Sequence, residues 1–143
     1  MLDPKTLRLV RAGSYAALAT ITPDGALSCH MMWVGCDDDF LYVNTEVERY
    51  KFGNMQVGDP IALMIFESSR SWVEVRGTVV GHVHGDEALA HLHELSMIYN
   101  RRPYGKRIDS PRVICRIRPD HEFVYVPSTS RADDETGAGS AVS

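Results

Sequence analysis

WVEVRGTVVGHV, residues 72–83, alternates along its whole length. Val73, Val75, Val79 and Val83 fall on one side of an extended chain, and Trp72, Glu74, Arg76 and Thr78 on the other. β-Branched residues at period two read as a long, half-buried strand. Gly77 and Gly81 lie on the valine side, where a strand bends or another backbone comes close. Such a strand needs partners, and the flanking sequence supplies them.

Upstream, Ile61 to Phe66 is nearly all apolar and reads as a strand buried on both faces, joined to residues 72–83 by the polar loop Ser68-Ser69-Arg70-Ser71. Earlier still, Tyr15 to Ile21 is a strand of small residues closed by Thr22-Pro23-Asp24-Gly25, whose Pro and Gly favour a type I turn and hence a hairpin. Its return strand, Ala26 to Val34, sets Leu27, Cys29, Met31 and Trp33 on one face and Ser28, His30 and Met32 on the other. Gly35 to Asp39 reads as the next turn and Phe40 to Asn44 as the third strand. Thr45 with Glu48 has capping-box spacing, which predicts a helix from about Glu46 to near Gly58, with Pro60 opening the next element. A first helix is expected over residues 3–12, with Asp3 as cap and Pro4 in its first turn. Downstream, Asp86 is expected to cap a helix whose inward stripe is Leu89, Leu92, Leu95 and Ile98 or Tyr99. Arg112 to Arg118 and Glu122 to Val126 read as the last strands.

Six or seven mostly sequential strands with two or three inserted helices predict a small, mostly β, antiparallel barrel. A βαβ alternation is missing, which argues against a parallel doubly wound sheet. The expected organisation is one domain over residues 1–126 and a disordered, Gly/Ala/Ser-rich tail over 127–143.

The chain has 143 residues, 44% apolar and 24% charged, with a formal net charge of −4. That balance argues against a nucleic-acid partner bound by phosphate neutralisation. No run is long and apolar enough to span a bilayer, so no membrane partner is expected. Three cysteines, Cys29, Cys36 and Cys115, without C-x-x-C spacing argue against a disulfide framework and point to a reducing cytoplasm.

The residues with chemical promise cluster after the third strand. Arg49 and Lys51 in the first turns of the predicted helix, next to its unsatisfied N–H groups, suit a phosphate; an ordinary solvated helix has the same pattern. The loop Arg101-Arg102-Pro103-Tyr104-Gly105-Lys106-Arg107 has two readings, a solvated connection or a cationic seat for an extended acidic ligand around Tyr104. Rossmann, P-loop and nucleophile-elbow fingerprints are missing. His82 and His84 share a strand face, whereas His91 and His93, two apart on a helix, diverge, so no metal site is expected.

Ala19-Thr20-Ile21 with Pro23-Asp24-Gly25, a strand ending in Trp33, Val43-Asn44-Thr45, Arg49-x-Lys51-x-x-Asn54, Gly58-Asp59-Pro60 and Trp72-Val73-Glu74-Val75-Arg76-Gly77 occur in that order. From Tyr15 to Tyr125 the chain thereby resembles the flavin/deazaflavin split-β-barrel superfamily of pyridoxamine 5'-phosphate oxidase-like proteins, and within it the branch using the deazaflavin coenzyme F420. The resemblance implies a homodimeric split barrel, with a cofactor site at each interface and hydride transfer from reduced F420 to a small organic acceptor. It also implies that Arg49 and Lys51 hold the cofactor phosphate, with Thr45 and Asn54 beside them. Ser28, His30 and Met32 would lie where the ring rests, and Trp33, Asn44, Trp72, Arg101 and Tyr104 complete the implied cofactor-binding set. The basic loop would meet the coenzyme's oligoglutamate tail. FMN is the alternative cofactor, and a non-catalytic barrel binding haem or another planar ligand the alternative role. His30 and Tyr104 are unranked candidates for proton delivery alongside water.

Overall fold

A computed structural model describes residues 1–128 of the chain. Three helices and seven strands follow one another as α1 (Pro4–Arg11), β1 (Tyr15–Ile21), β2 (Leu27–Met32), β3 (Gly35–Cys36), β4 (Leu41–Glu46), α2 (Tyr50–Gly53), β5 (Pro60–Ser68), β6 (Ser71–His84), α3 (Asp86–Asn100) and β7 (Arg112–Val124). The strands form one antiparallel sheet in the order β2-β1-β5-β6-β7-β4-β3, curled into a half-barrel. The mostly β split barrel expected from the sequence is therefore the fold observed. Of the expected tail, residues 129–143 lie outside the described residues.

Strand β6 is the spine. Val73, Val75 and Val79 are fully buried, as their alternation requires, against Leu18, Leu63, Ile65, Val43 and Ile117. Burial of each such side chain is worth about 1.5–3 kcal/mol. At Gly77 a Cβ would lie 2.6 Å from the Arg118 carbonyl oxygen, so the two backbones approach as only glycine permits. Register shifts beside Gly77 and Gly81 bend β6 and close the sheet's curl. Helix α1 begins as predicted, with the Asp3 carboxylate accepting from the Lys5 amide, and buries Leu7, Leu9 and Val10 in the core.

Several expectations are corrected. The predicted helix from Glu46 is replaced by a longer β4 and a single turn, α2. Thr45 pairs with Val113 and Glu46 with Arg112 across the β4–β7 ladder, so a partner 66 residues away outweighs the local capping box. Residues Gly35 and Cys36, read as turn, pair with β4. Strand β5 is buried on one face only: Ile61, Leu63 and Ile65 point inward while Met64 is exposed. The last two predicted strands are one, β7, which continues through Pro119 with Asp120 as an extra residue, since Arg76 pairs with His121 and Gly77 with Pro119. Helix α3 has Gly85 at its N-cap, and Asp86 is its first residue. Its inward stripe is Ala88, Leu92, Leu95 and Ser96, with Leu89 and Ile98 exposed.

Candidate functional site

A cavity of about 790 Å³ opens where the end of β4, the β2–β3 joint, the 46–54 segment and the C-terminal half of α3 meet. Its size is that of a small-molecule site. Its two ends differ in chemistry.

One end is cationic, and Arg49, Lys51 and Arg112 converge there with Asn44 and Thr45 from β4. Arg112 stands opposite Glu46 at the start of β7, so its side chain enters the site across the ladder. The Arg112 guanidinium donates from Nε to Asn44 Oδ1 (2.9 Å), from one terminal nitrogen to the Asn44 carbonyl (3.3 Å) and from the other to Glu46 Oε1 (3.3 Å). Arg49 reaches the same Glu46 oxygen at 3.9 Å. Lys51 Nζ sits 3.1 Å from the Met32 sulfur, a weak acceptor. Burial, followed by the positive charges of Arg49 and Arg112, pushes the Lys51 ammonium below its ordinary range. A half-buried cation facing a thioether and two like charges would be stabilised by an added anion.

The other end is aromatic. Trp33 stacks on Tyr99 at 5.0 Å with planes 9° apart, meets Tyr104 edge-on at 6.3 Å, and Tyr15 packs on Tyr99 at 5.4 Å. The Tyr99 hydroxyl fixes this group by donating to the Ser14 carbonyl (2.6 Å) and accepting from the Val34 amide (3.1 Å). Tyr104 is held over the site because its backbone N–H donates to His93 Nδ1 (3.1 Å), and its ring lies 5.9 Å from the Arg112 guanidinium carbon. Arg102 and Lys106 from the same loop line the rim.

Of the residues singled out in the sequence, Met32, Trp33, Asn44, Thr45, Arg49, Lys51 and Tyr104 line this one cavity. Five predicted residues lie outside the lining. Ser28 and His30 bond each other at 3.0 Å along β2. Asn54 is buried behind α2 and donates to Thr20 Oγ1 (3.1 Å). Trp72 stacks on Tyr125 at 4.9 Å. Arg101 is the left-handed C-cap of α3 and is exposed. The sequence reading missed Arg112, which looked like an ordinary strand start, and Tyr99, offered only as a core alternative. The helix expected at the cationic end is also missing: α2 is one turn, so the cations alone make that end electropositive. Among the described residues, no group of three His, Cys, Asp or Glu side chains is placed to hold a metal ion, and no helix is long and apolar enough to cross a membrane.

Residues 2–124 match the family model described as pyridoxamine 5'-phosphate oxidase. Among solved structures, a protein named F420 reductase superposes with a TM-score of 0.71 at 25% identity, covering 85% of this chain and 98% of the other. A conserved hypothetical protein from Mycobacterium tuberculosis gives a TM-score of 0.64 at 21% identity, with 92% of each chain covered. The haem-storage protein of Vibrio cholerae gives 0.62 at 14% identity, covering 86% of this chain and 94% of the other, and shares the fold alone. A search of curated proteins finds no match.

Proposed function

The chain belongs to the pyridoxamine 5'-phosphate oxidase family, and from that premise we propose that it is an oxidoreductase that uses the reduced deazaflavin coenzyme F420 to reduce a small organic acceptor. The observation that carries the reading is the two-ended cavity. Three cations, two of which share the Glu46 carboxylate, suit a phosphate-bearing tail, and a wall of Tyr15, Trp33 and Tyr104 suits a planar ring. The residues present fit such a group, which supplies the hydride chemistry when bound. In this reading Arg49 and Lys51 bind the phosphate, Thr45 flanks it, and Trp33, held by Tyr99, orients the ring and excludes water from one side. Arg102 and Lys106 on the rim favour F420 over FMN, because only the former continues past its phosphate into a carboxylate-rich tail. The F420 reductase among the similar structures supports the same choice. The working unit is proposed to be a homodimer.

Titrating the purified protein with FMN and F420 side by side tests the cofactor. Tighter F420 binding is expected. Neutralising Arg102 and Lys106 should weaken F420 by roughly threefold to tenfold at low salt and less at high salt, because exposed pairs are each worth about 0.2–1 kcal/mol. Tight FMN with indifferent F420 would instead make the protein a flavin enzyme of the same fold.

A further inference from the structure

We propose that Arg112 is a third anion-binding cation of the cavity, and that Asn44 is a positioning residue that aims it. This deepens the proposed function and rests on it for the identity of the ligand, though not for the anion.

Arg112 is nine-tenths buried, yet it is one of the residues that line the cavity. After its bonds to Asn44 and Glu46, each terminal nitrogen retains a further N–H. Asn44 cannot rotate away. Its amide nitrogen is committed to α3, donating to the Ala88 carbonyl (2.8 Å) and to His91 Nδ1 (3.0 Å), which leaves Oδ1 facing Arg112. The docking of α3 is thus transmitted through one side-chain amide to the orientation of a guanidinium on β7. Glu46, held by Ser110 at 3.1 Å, is the counter-ion shared by Arg112 and Arg49. Three cations against one carboxylate leave a local excess matching a phosphate monoester, which carries about 1.5 to 2 negative charges at neutral pH. A phosphodiester with a neighbouring carboxylate presents similar charge. Guanidinium planes suit either, since their paired N–H groups match oxyanion geometry.

The test uses inorganic phosphate against chloride at matched ionic strength, read by thermal shift and calorimetry, with FMN and phosphate-free riboflavin in parallel. Arg112→Met alone would strand a buried carboxylate, so it is paired with Glu46→Gln, which removes both charges together. The paired variant is expected to fold, to bind phosphate and FMN about tenfold more weakly, and to leave riboflavin unchanged. Asn44→Ala should reduce phosphate and FMN binding several-fold while sparing riboflavin. The assignment is overturned if wild-type protein shows no phosphate response, if the paired variant keeps it, or if Asn44→Ala weakens FMN and riboflavin equally. A wild type that answers phosphate through Arg112 but binds neither flavin nor F420 upholds the anion site and defeats the cofactor reading.

Discussion

Lys51 shows what a single side chain contributes to binding and what it costs the empty protein. Its ammonium is half-buried beside the Met32 sulfur, and burial together with Arg49 and Arg112 disfavours its charge. Lys51→Ala should weaken binding of the preferred cofactor by roughly ten- to a hundredfold, the value of one charge-assisted hydrogen bond. A change of less than about twofold in calorimetry would show that the phosphate sits elsewhere. Lys51→Met, which keeps the stem and removes the charge, should raise the melting temperature of the ligand-free protein by about 2–4 °C while losing the cofactor. The pH dependence has opposite signs in the two states. The folded, ligand-free protein binds fewer protons at Lys51 than the unfolded chain does. Its stability therefore rises with pH between the lowered folded value and the ordinary value of 10.5. Phosphate affinity falls over that same window, because the cation it needs is being lost. Lys51→Arg should remove the alkaline fall, which a pH series of phosphate titrations would detect.

At the scale of elements, the β6–β7 ladder, with its extra residues Asp120 on β7 and Val80 on β6, sets the curl of the sheet. Gly77→Ala pushes a methyl against the Arg118 carbonyl and Ile117, and should destabilise the protein by about 1–3 kcal/mol in denaturant unfolding. A loss below about 0.5 kcal/mol would mean that the close approach is readily relaxed. Both Gly77 and the valine alternation were legible in the sequence, because a strand's faces follow from period two alone. Helix α1 was legible for a similar reason, since Asp3 and Pro4 act within one turn. The segment after Asn44 was not. Thr45 and Glu46 carry a local helix-start pattern, and their strand conformation is imposed by Val113, Arg112 and Ser110, all distant in sequence. The same distance hid Arg112 from the candidate site, whereas Arg49 and Lys51 were visible as neighbours in a motif. Asn44 was singled out in the sequence and lines the cavity, but its commitment to α3 depends on packing that no spacing encodes.

The whole molecule carries a net charge of −4 while its cavity gathers cations, so anionic ligands meet a locally attractive field at that mouth. Its other conspicuous surface is apolar. The outward face of β2-β1-β5 presents Leu27, Met31, Ile21 and Met64, all exposed, and the Glu74–Arg76 ion pair on β6 separates it from Phe123 on β7. The registers Ile21↔Leu27, Ala17↔Met31 and Ala17↔Met64 set these apolar residues on one side of the sheet. Small residues Ala17, Ala19 and Ala62 lie between them, leaving a shallow surface that another sheet can approach closely. Monomers seldom expose a contiguous patch above a few hundred Å². Met31 and Tyr15 belong to this face and also line the cavity, so whatever covers the patch narrows the open side of the site. In the proposed homodimer a second copy of the chain would do both at once, so the dimer and the proposed cofactor site are predicted to stand or fall together. Sedimentation at micromolar concentration should give twice the 16.0 kDa chain mass. Leu27→Glu with Met64→Glu sets charges in the patch without touching the cavity lining, and should yield monomers whose cofactor affinity drops by about tenfold or more if a second copy helps enclose the site. Folded wild-type monomers that bind cofactor as tightly as any dimer would show that one chain completes the site unaided.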